Sequence, residues 1–175
     1  MQALKLVVIG PIRSGKTTIS NFLAEATEMP YDYHPTQGVR ILEFEMQNIQ
    51  VNGKHITKDI ELWDCSGDHK FRNCWPAMRK DLHGVIFVYS ANSEDSLKEL
   101  QEFYEYFVNQ IKLSPDRCVI FCFDPEKKQP EISKTISSTF AKISHVKCNV
   151  GDGGNKLKSD FSSFISTLMN KMQEY

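Results

Sequence analysis

The sequence predicts an α/β fold, a mostly parallel six-stranded sheet with one antiparallel edge strand and helices on both faces. Three observations carry this prediction. Short apolar runs alternate along the chain with segments of helical periodicity, the pattern of strands joined by crossover helices. Two strand-like segments meet at Asn52-Gly53, a dipeptide suited to the two positive φ angles of a tight hairpin. The loop GPIRSGKT, Gly10–Thr17, directly follows the first apolar run.

The elements follow in order. Leu4–Ile9 reads as a buried strand, and Ile19, Phe22, Leu23 and Ala26 recur at helical spacing behind it. Met29–Gly38, with two prolines and a glycine, reads as loop. Leu42, Phe44 and Met46 alternate with Glu43 and Glu45, as on a half-buried edge strand, and Ile60–Trp63 returns beside it. Gly84–Ser90 and Cys118–Phe123 are further buried strands. Between them, Leu97, Leu100, Phe103, Tyr104, Phe107, Val108 and Ile111 form a helical stripe behind Ser93, a capping residue type. Ile132–Ile143 is a weaker helical pattern, and Ser144–Val150 reads as the last strand. Leu157, Phe161, Phe164, Ile165, Leu168 and Met172 make a closing amphipathic helix.

With 175 residues the chain suits one domain, residues 1–175, with a full core. A net charge of −1 gives no footprint for nucleic acid. No apolar run approaches the roughly 20 residues of a membrane span, and the N-terminus has no signal-peptide pattern. The five cysteines, Cys65, Cys74, Cys118, Cys122 and Cys148, have neither C-x-x-C nor metal spacing, which suggests reduced thiols. Cys118 and Cys122 fall in an apolar run and are expected in the core.

In sheets of this kind, ligands bind beyond the carboxyl ends of the strands. The distinctive motifs all fall there. Gly10 and Gly15 allow the backbone of Pro11, Ile12, Arg13 and Ser14 to wrap closely around phosphate, at the start of a helix whose dipole favours an anion. Lys16 can reach the outer phosphates and Thr17 can offer its hydroxyl to Mg²⁺. Pro11 contributes no N–H, and the bulk of Ile12 is expected to crowd the outermost phosphate. In WDCSGD, Trp63–Asp68, Asp64 can hold Mg²⁺ through water and Gly67 can donate its N–H to a phosphate. Thr36, in YHPTQG, can complete the Mg²⁺ shell.

These motifs, in this order and spacing, resemble the Ras superfamily of small GTPases, over nearly the whole chain from Leu4 to Met172. More narrowly, PTQGVRILEFE, ELWDCSGDHKF, CWPAM and KDLHGV resemble the Rab-like subunits of the intraflagellar transport B complex. The resemblance implies a single GTPase-like domain that binds GTP or GDP with Mg²⁺, docks on coiled-coil subunits of that complex, and resides in the cytoplasm and the cilium or flagellum. It also implies, at Asp68, a departure from the glutamine that orients the attacking water in active relatives, and therefore slow hydrolysis. The guanine-reading Asn-Lys-x-Asp element becomes Phe123, Asp124, Pro125 and Glu126. Either Glu126 or Asp124 can accept from guanine, while Phe123 either stacks or packs in the core. The late base-contacting loop is replaced by CNVGDGG, Cys148–Gly154.

No cysteine near the C-terminus is placed for prenylation, and residue 2 is Gln2 rather than glycine, so recruitment is expected through protein contacts and not a lipid anchor. Phe71, Trp75 and Met78, just after the D-x-x-G motif, are candidates for an apolar partner surface; Trp75 can equally pack its helix onto the core. Two alternatives compete with a GTP-dependent subunit. One is a nucleotide-independent scaffold derived from a GTPase. The other is a P-loop kinase or ATPase, for which no Arg-rich lid stretch is present.

Overall fold

The computed structural model describes residues 2–25, 36–124, 138–151 and 154–173. Among the described residues six strands form one sheet: β1 Leu4–Ile9, β2 Val39–Val51, β3 Lys54–Cys65, β4 Gly84–Ser90, β5 Cys118–Phe123 and β6 Ser144–Cys148. Their order is β2-β3-β1-β4-β5-β6, with only the β2–β3 pair antiparallel. The described residues also form the α-helices α1 Lys16–Leu23, α2 Trp75–Arg79, α3 Glu94–Tyr104 and α4 Asn155–Gln173. The expected fold class is therefore the observed one.

Burial follows from position in the sheet. β1 lies at its centre, so all six of its residues are buried, and the whole of β5 is buried as well. β2 at the edge alternates between exposed and half-buried residues over Val39–Gln47. Its pairing with β3 shifts between Met46 and Ile49, where Asn48 takes φ 58°, and this bulge bends the long edge. The hairpin turns at Asn52 and Gly53 with φ 48° and 76°, the positive angles this dipeptide tolerates.

Two apolar layers result. One face of the sheet packs Leu6, Val8, Ile86 and Phe121 against α1 and the Leu157–Met169 stripe of α4. The other packs Val7, Ile9, Phe87 and Ile120 against α2 and α3. Some expectations change in detail. The α3 stripe continues into a wider π-helical turn, Glu105–Asn109, and Ile111 lies beyond it, 39% exposed. Ser93 occupies the α3 cap position, but its hydroxyl makes no capping bond. Of the helix expected over Ile132–Ile143, the described part is one 3₁₀ turn, Ser138–Phe140; residues 132–137 lie outside the described residues. The last strand stops at Cys148. All five cysteines are free thiols, and Cys118 and Cys122 are in the core. No described helix is long and apolar enough to cross a membrane.

Candidate functional site

The site forms where β1 and β3 end and α1 begins. Gly10–Thr17 leaves β1 and enters α1 through Gly15, whose φ of 99° is costly for any residue with a Cβ. There is a second reason for glycine here. A Cβ at Gly15 would lie 2.3 Å from the Phe123 ring, which closes under the loop from the end of β5. Phe123 is 9% exposed and belongs to the core. Of its two sequence roles, packing is the one this conformation displays.

Lys16 is 6% exposed, and its Nζ donates to the Pro11 carbonyl at 2.5 Å and to Ser14 Oγ at 3.4 Å. Ser14 is itself buried. The ammonium thus sits among neutral oxygens. Burial holds its pKa down to about 8, against the pull of the Asp64 charge. A buried cation with neutral partners favours an incoming anion, which is the chemistry a phosphate supplies. Ile12 points outward at 46% exposure.

Three oxygen-bearing side chains from separate elements converge beside this loop. Thr17 on α1 donates its hydroxyl to Asp64 Oδ2 at 2.9 Å, and its Oγ1 lies 3.1 Å from the Thr36 hydroxyl. Asp64 is fully buried at the end of β3, and its Oδ1 has no hydrogen-bond partner. Burial pushes the carboxyl upward, while the Thr17 hydroxyl and the Arg40 guanidinium pull it back. Two hydroxyls and a carboxylate with an unused buried oxygen are hard donors that fit Mg²⁺. Thr17, Thr36 and Asp64 would hold it, and the ion would supply positive charge for phosphate oxygens.

The two motif loops are joined directly. Ser66 donates its backbone N–H to the Gly38 carbonyl at 2.7 Å. Gly67 lies on the phosphate loop, since a Cβ there would be 2.4 Å from the Gly10 carbonyl oxygen and 2.7 Å from the Ile12 nitrogen. Arg13 takes φ 60° in the same loop. The residues expected for phosphate and metal therefore meet at one place.

The other candidates behave differently. Asp68 caps the 3₁₀ turn His69–Cys74, accepting from the Lys70 backbone N–H at 3.0 Å, with Lys70 Nζ at 3.5 Å. That backbone bond, with the Lys70 charge, holds its carboxyl below the usual range. Its oxygens are thus engaged by its own loop. Asp124 is fully buried and pairs with Lys147 Nζ at 2.9 Å, a contact to β6 that the sequence reading did not include. Glu126 lies outside the described residues. The apolar partner surface needs correction: Trp75 and Met78 are 3% and 0% exposed and pack into the α2–α3 layer, which leaves only Phe71 partly exposed. Trp75 is enclosed by the rings of Phe103, Tyr106 and Phe107 from α3 and the turn that follows it.

Two further residues were missed. Arg40 faces Asp64 across the β2–β3 ladder, and Asn21, one turn after Thr17 on α1, is 1% exposed and accepts from Arg40. Helical spacing from Thr17 was a signal for Asn21. Nothing local distinguished Arg40.

Comparison with known proteins agrees with this geometry. The Ras family model matches residues 5–172. The human intraflagellar transport protein 22 homolog is 37% identical over 175 residues, covering 99% of this chain and 94% of the relative. The Danio rerio homolog is 34% identical over 176 residues, with the same coverage of both chains. Caenorhabditis elegans intraflagellar transport associated protein 2 is 28% identical over 205 residues, covering 97% of this chain and 80% of its own. Among solved structures, the fold matches the GTP-bound T. brucei IFT22/74/81 crystal structure with TM-score 0.81 at 24% identity, covering 99% of both chains. The GDP-bound T. brucei IFT22 structure matches with TM-score 0.71 at 22% identity, covering 98% of this chain and 99% of that one. Phosphate loop, metal-type oxygen cluster and strand order thus coincide with the extent of the match: the chain belongs to the Ras family, within the group of intraflagellar transport protein 22 homologs.

Proposed function

We propose that this chain is a guanine-nucleotide-binding subunit of the intraflagellar transport machinery of cilia and flagella. It binds GTP or GDP with Mg²⁺, docks on a coiled-coil pair of partner subunits, and hydrolyses GTP slowly or not at all. The observation that carries the nucleotide reading is the meeting of Thr17, Thr36 and Asp64 oxygens beside the buried ammonium of Lys16. Oxygen donors and a buried cation held by neutral oxygens at one strand end match the two charges of a metal–phosphate pair. The transport role is supported by the names of the relatives. Partner docking is supported by the fold match to the IFT22/74/81 complex. Slow hydrolysis is supported by the engagement of Asp68 in the cap of its own turn.

Titration of nucleotide-free protein with fluorescent GTP, GDP and ATP tests this reading. Preferential binding of guanine nucleotides is expected. Lys16→Ala should weaken binding about 10- to 150-fold, the equivalent of the roughly 1.5–3 kcal/mol of a hydrogen bond to a charged group. Binding unchanged in Lys16→Ala, or none in the wild type, overturns it.

A second reading, a scaffold that works without nucleotide, is favoured by one observation: the Asp124 carboxylate is buried on Lys147. Undiminished partner binding by Thr17→Asn would select it.

A further inference from the structure

We infer that Arg40 is a built-in counter-cation for Asp64, which lowers the affinity of this site for magnesium and lets nucleotide be held with little dependence on the metal. The inference rests on the nucleotide-binding reading above. Arg40 and Asp64 are direct partners in the antiparallel β2–β3 register, so the sheet itself sets opposite charges side by side. One guanidinium nitrogen donates to Asp64 Oδ2 at 3.3 Å and to Asn21 Oδ1 at 2.5 Å. The side chain therefore runs from the edge strand past the end of β3 to α1, where buried Asn21 fixes its far end.

A second observation concerns the orphaned atoms. Asp64 Oδ1 and Arg40 Nε are both buried without a hydrogen-bond partner. The pair is thus only half satisfied within the chain. Asp64 keeps one oxygen for another ligand while its charge is already balanced. A divalent ion sharing Asp64 would lie near a fixed positive charge and bind more weakly than beside a lone carboxylate. In the metal-free state the same arginine keeps Asp64 from standing as an uncompensated buried anion beside phosphate. Lysine would retain the charge but lacks the guanidinium, whose one nitrogen lies between Asp64 and Asn21.

The test is release of a fluorescent GTP analogue from the purified chain while free Mg²⁺ is set with EDTA. Wild type is expected to change its release rate only slightly over the whole range. Arg40→Ala should release nucleotide faster in EDTA. It should also respond at Mg²⁺ concentrations lower by about 5- to 150-fold, the usual span of coupled sites. Arg40→Lys should fall between the two. Asn21→Ala removes the anchor without altering either charge and should move the same way by less. Circular dichroism confirms folding of each variant, and Asn21→Ala carries the test if Arg40→Ala does not fold. Binding with the same Mg²⁺ response in wild type and variants overturns the inference alone. No nucleotide binding in folded wild type overturns the nucleotide reading and the inference with it.

Discussion

Replacing Trp75 by alanine separates a core residue from a partner anchor. The indole is 3% exposed, with ring centroids at 5.1–5.5 Å from Tyr106, Phe103 and Phe107, and at 6.1 Å from His69. The Arg72 guanidinium lies 5.0 Å from its centroid. Truncating a buried tryptophan costs about 3–5 kcal/mol from lost transfer energy and the cavity left behind. Tilted aromatic neighbours are worth something beyond area, so the upper half of that range, about 4–5 kcal/mol, is expected. For a chain of this size each kcal/mol lowers the melting temperature by roughly 2–4 °C. The expected fall is therefore about 8–20 °C, read by circular dichroism. Phe71→Ala, on the partly exposed neighbour, should cost about 1 kcal/mol or less. A Trp75→Ala protein that melts within about 3 °C of wild type yet loses its partners would refute the core assignment.

The remaining predictions concern the site and its surroundings. Gly15→Ala must accept φ near 99° and a methyl 2.3 Å from the Phe123 ring. Left-handed backbone strain and overpacking together predict a loss of about 2–5 kcal/mol and weaker nucleotide binding; unaltered urea unfolding would contradict the close approach. Asp68→Asn keeps the capping oxygen and should leave the rate of phosphate release within about threefold of wild type, because the carboxylate serves its own turn; a tenfold drop would assign Asp68 to the reaction. His145 donates to or accepts from the Tyr89 hydroxyl at 2.7 Å, and burial holds its pKa down to about 4. The unfolded chain therefore binds a proton there at a pH where the folded chain does not. Stability from this group is complete above about pH 6.5 and lost as pH falls toward 4. His145→Gln should flatten that part of the acid-unfolding curve, and an equally steep curve would show that the loss arises elsewhere.

Much of this molecule was legible in its residues because the informative patterns are local. GPIRSGKT works through spacings of a few residues, fixed by one loop and one helix turn. The edge strand showed itself by period-two alternation, and the hairpin by Asn52-Gly53. Thr36 and Asp64 could be named because each stands at a recognisable motif. Their meeting at Thr17 was an expectation until strand ends and α1 were assembled.

What tertiary structure alone decided is which way side chains turn and whom they meet across the sheet. By sequence α2 is free to bury or expose Trp75 and Met78, since a five-residue helix has too few positions to define an apolar face. Packing against α3 and the turn that follows it decided for burial. Phe123 lies 108 residues from Gly15, yet strand order brings its ring under that glycine. Asp124 met Lys147 because β5 pairs with β6. Arg40, an ordinary strand arginine by sequence, stands opposite Asp64 only through the register of the hairpin. Local chemistry is written in residues a few positions apart; partners tens of residues apart are set by register and packing, which exist only once the sheet has formed.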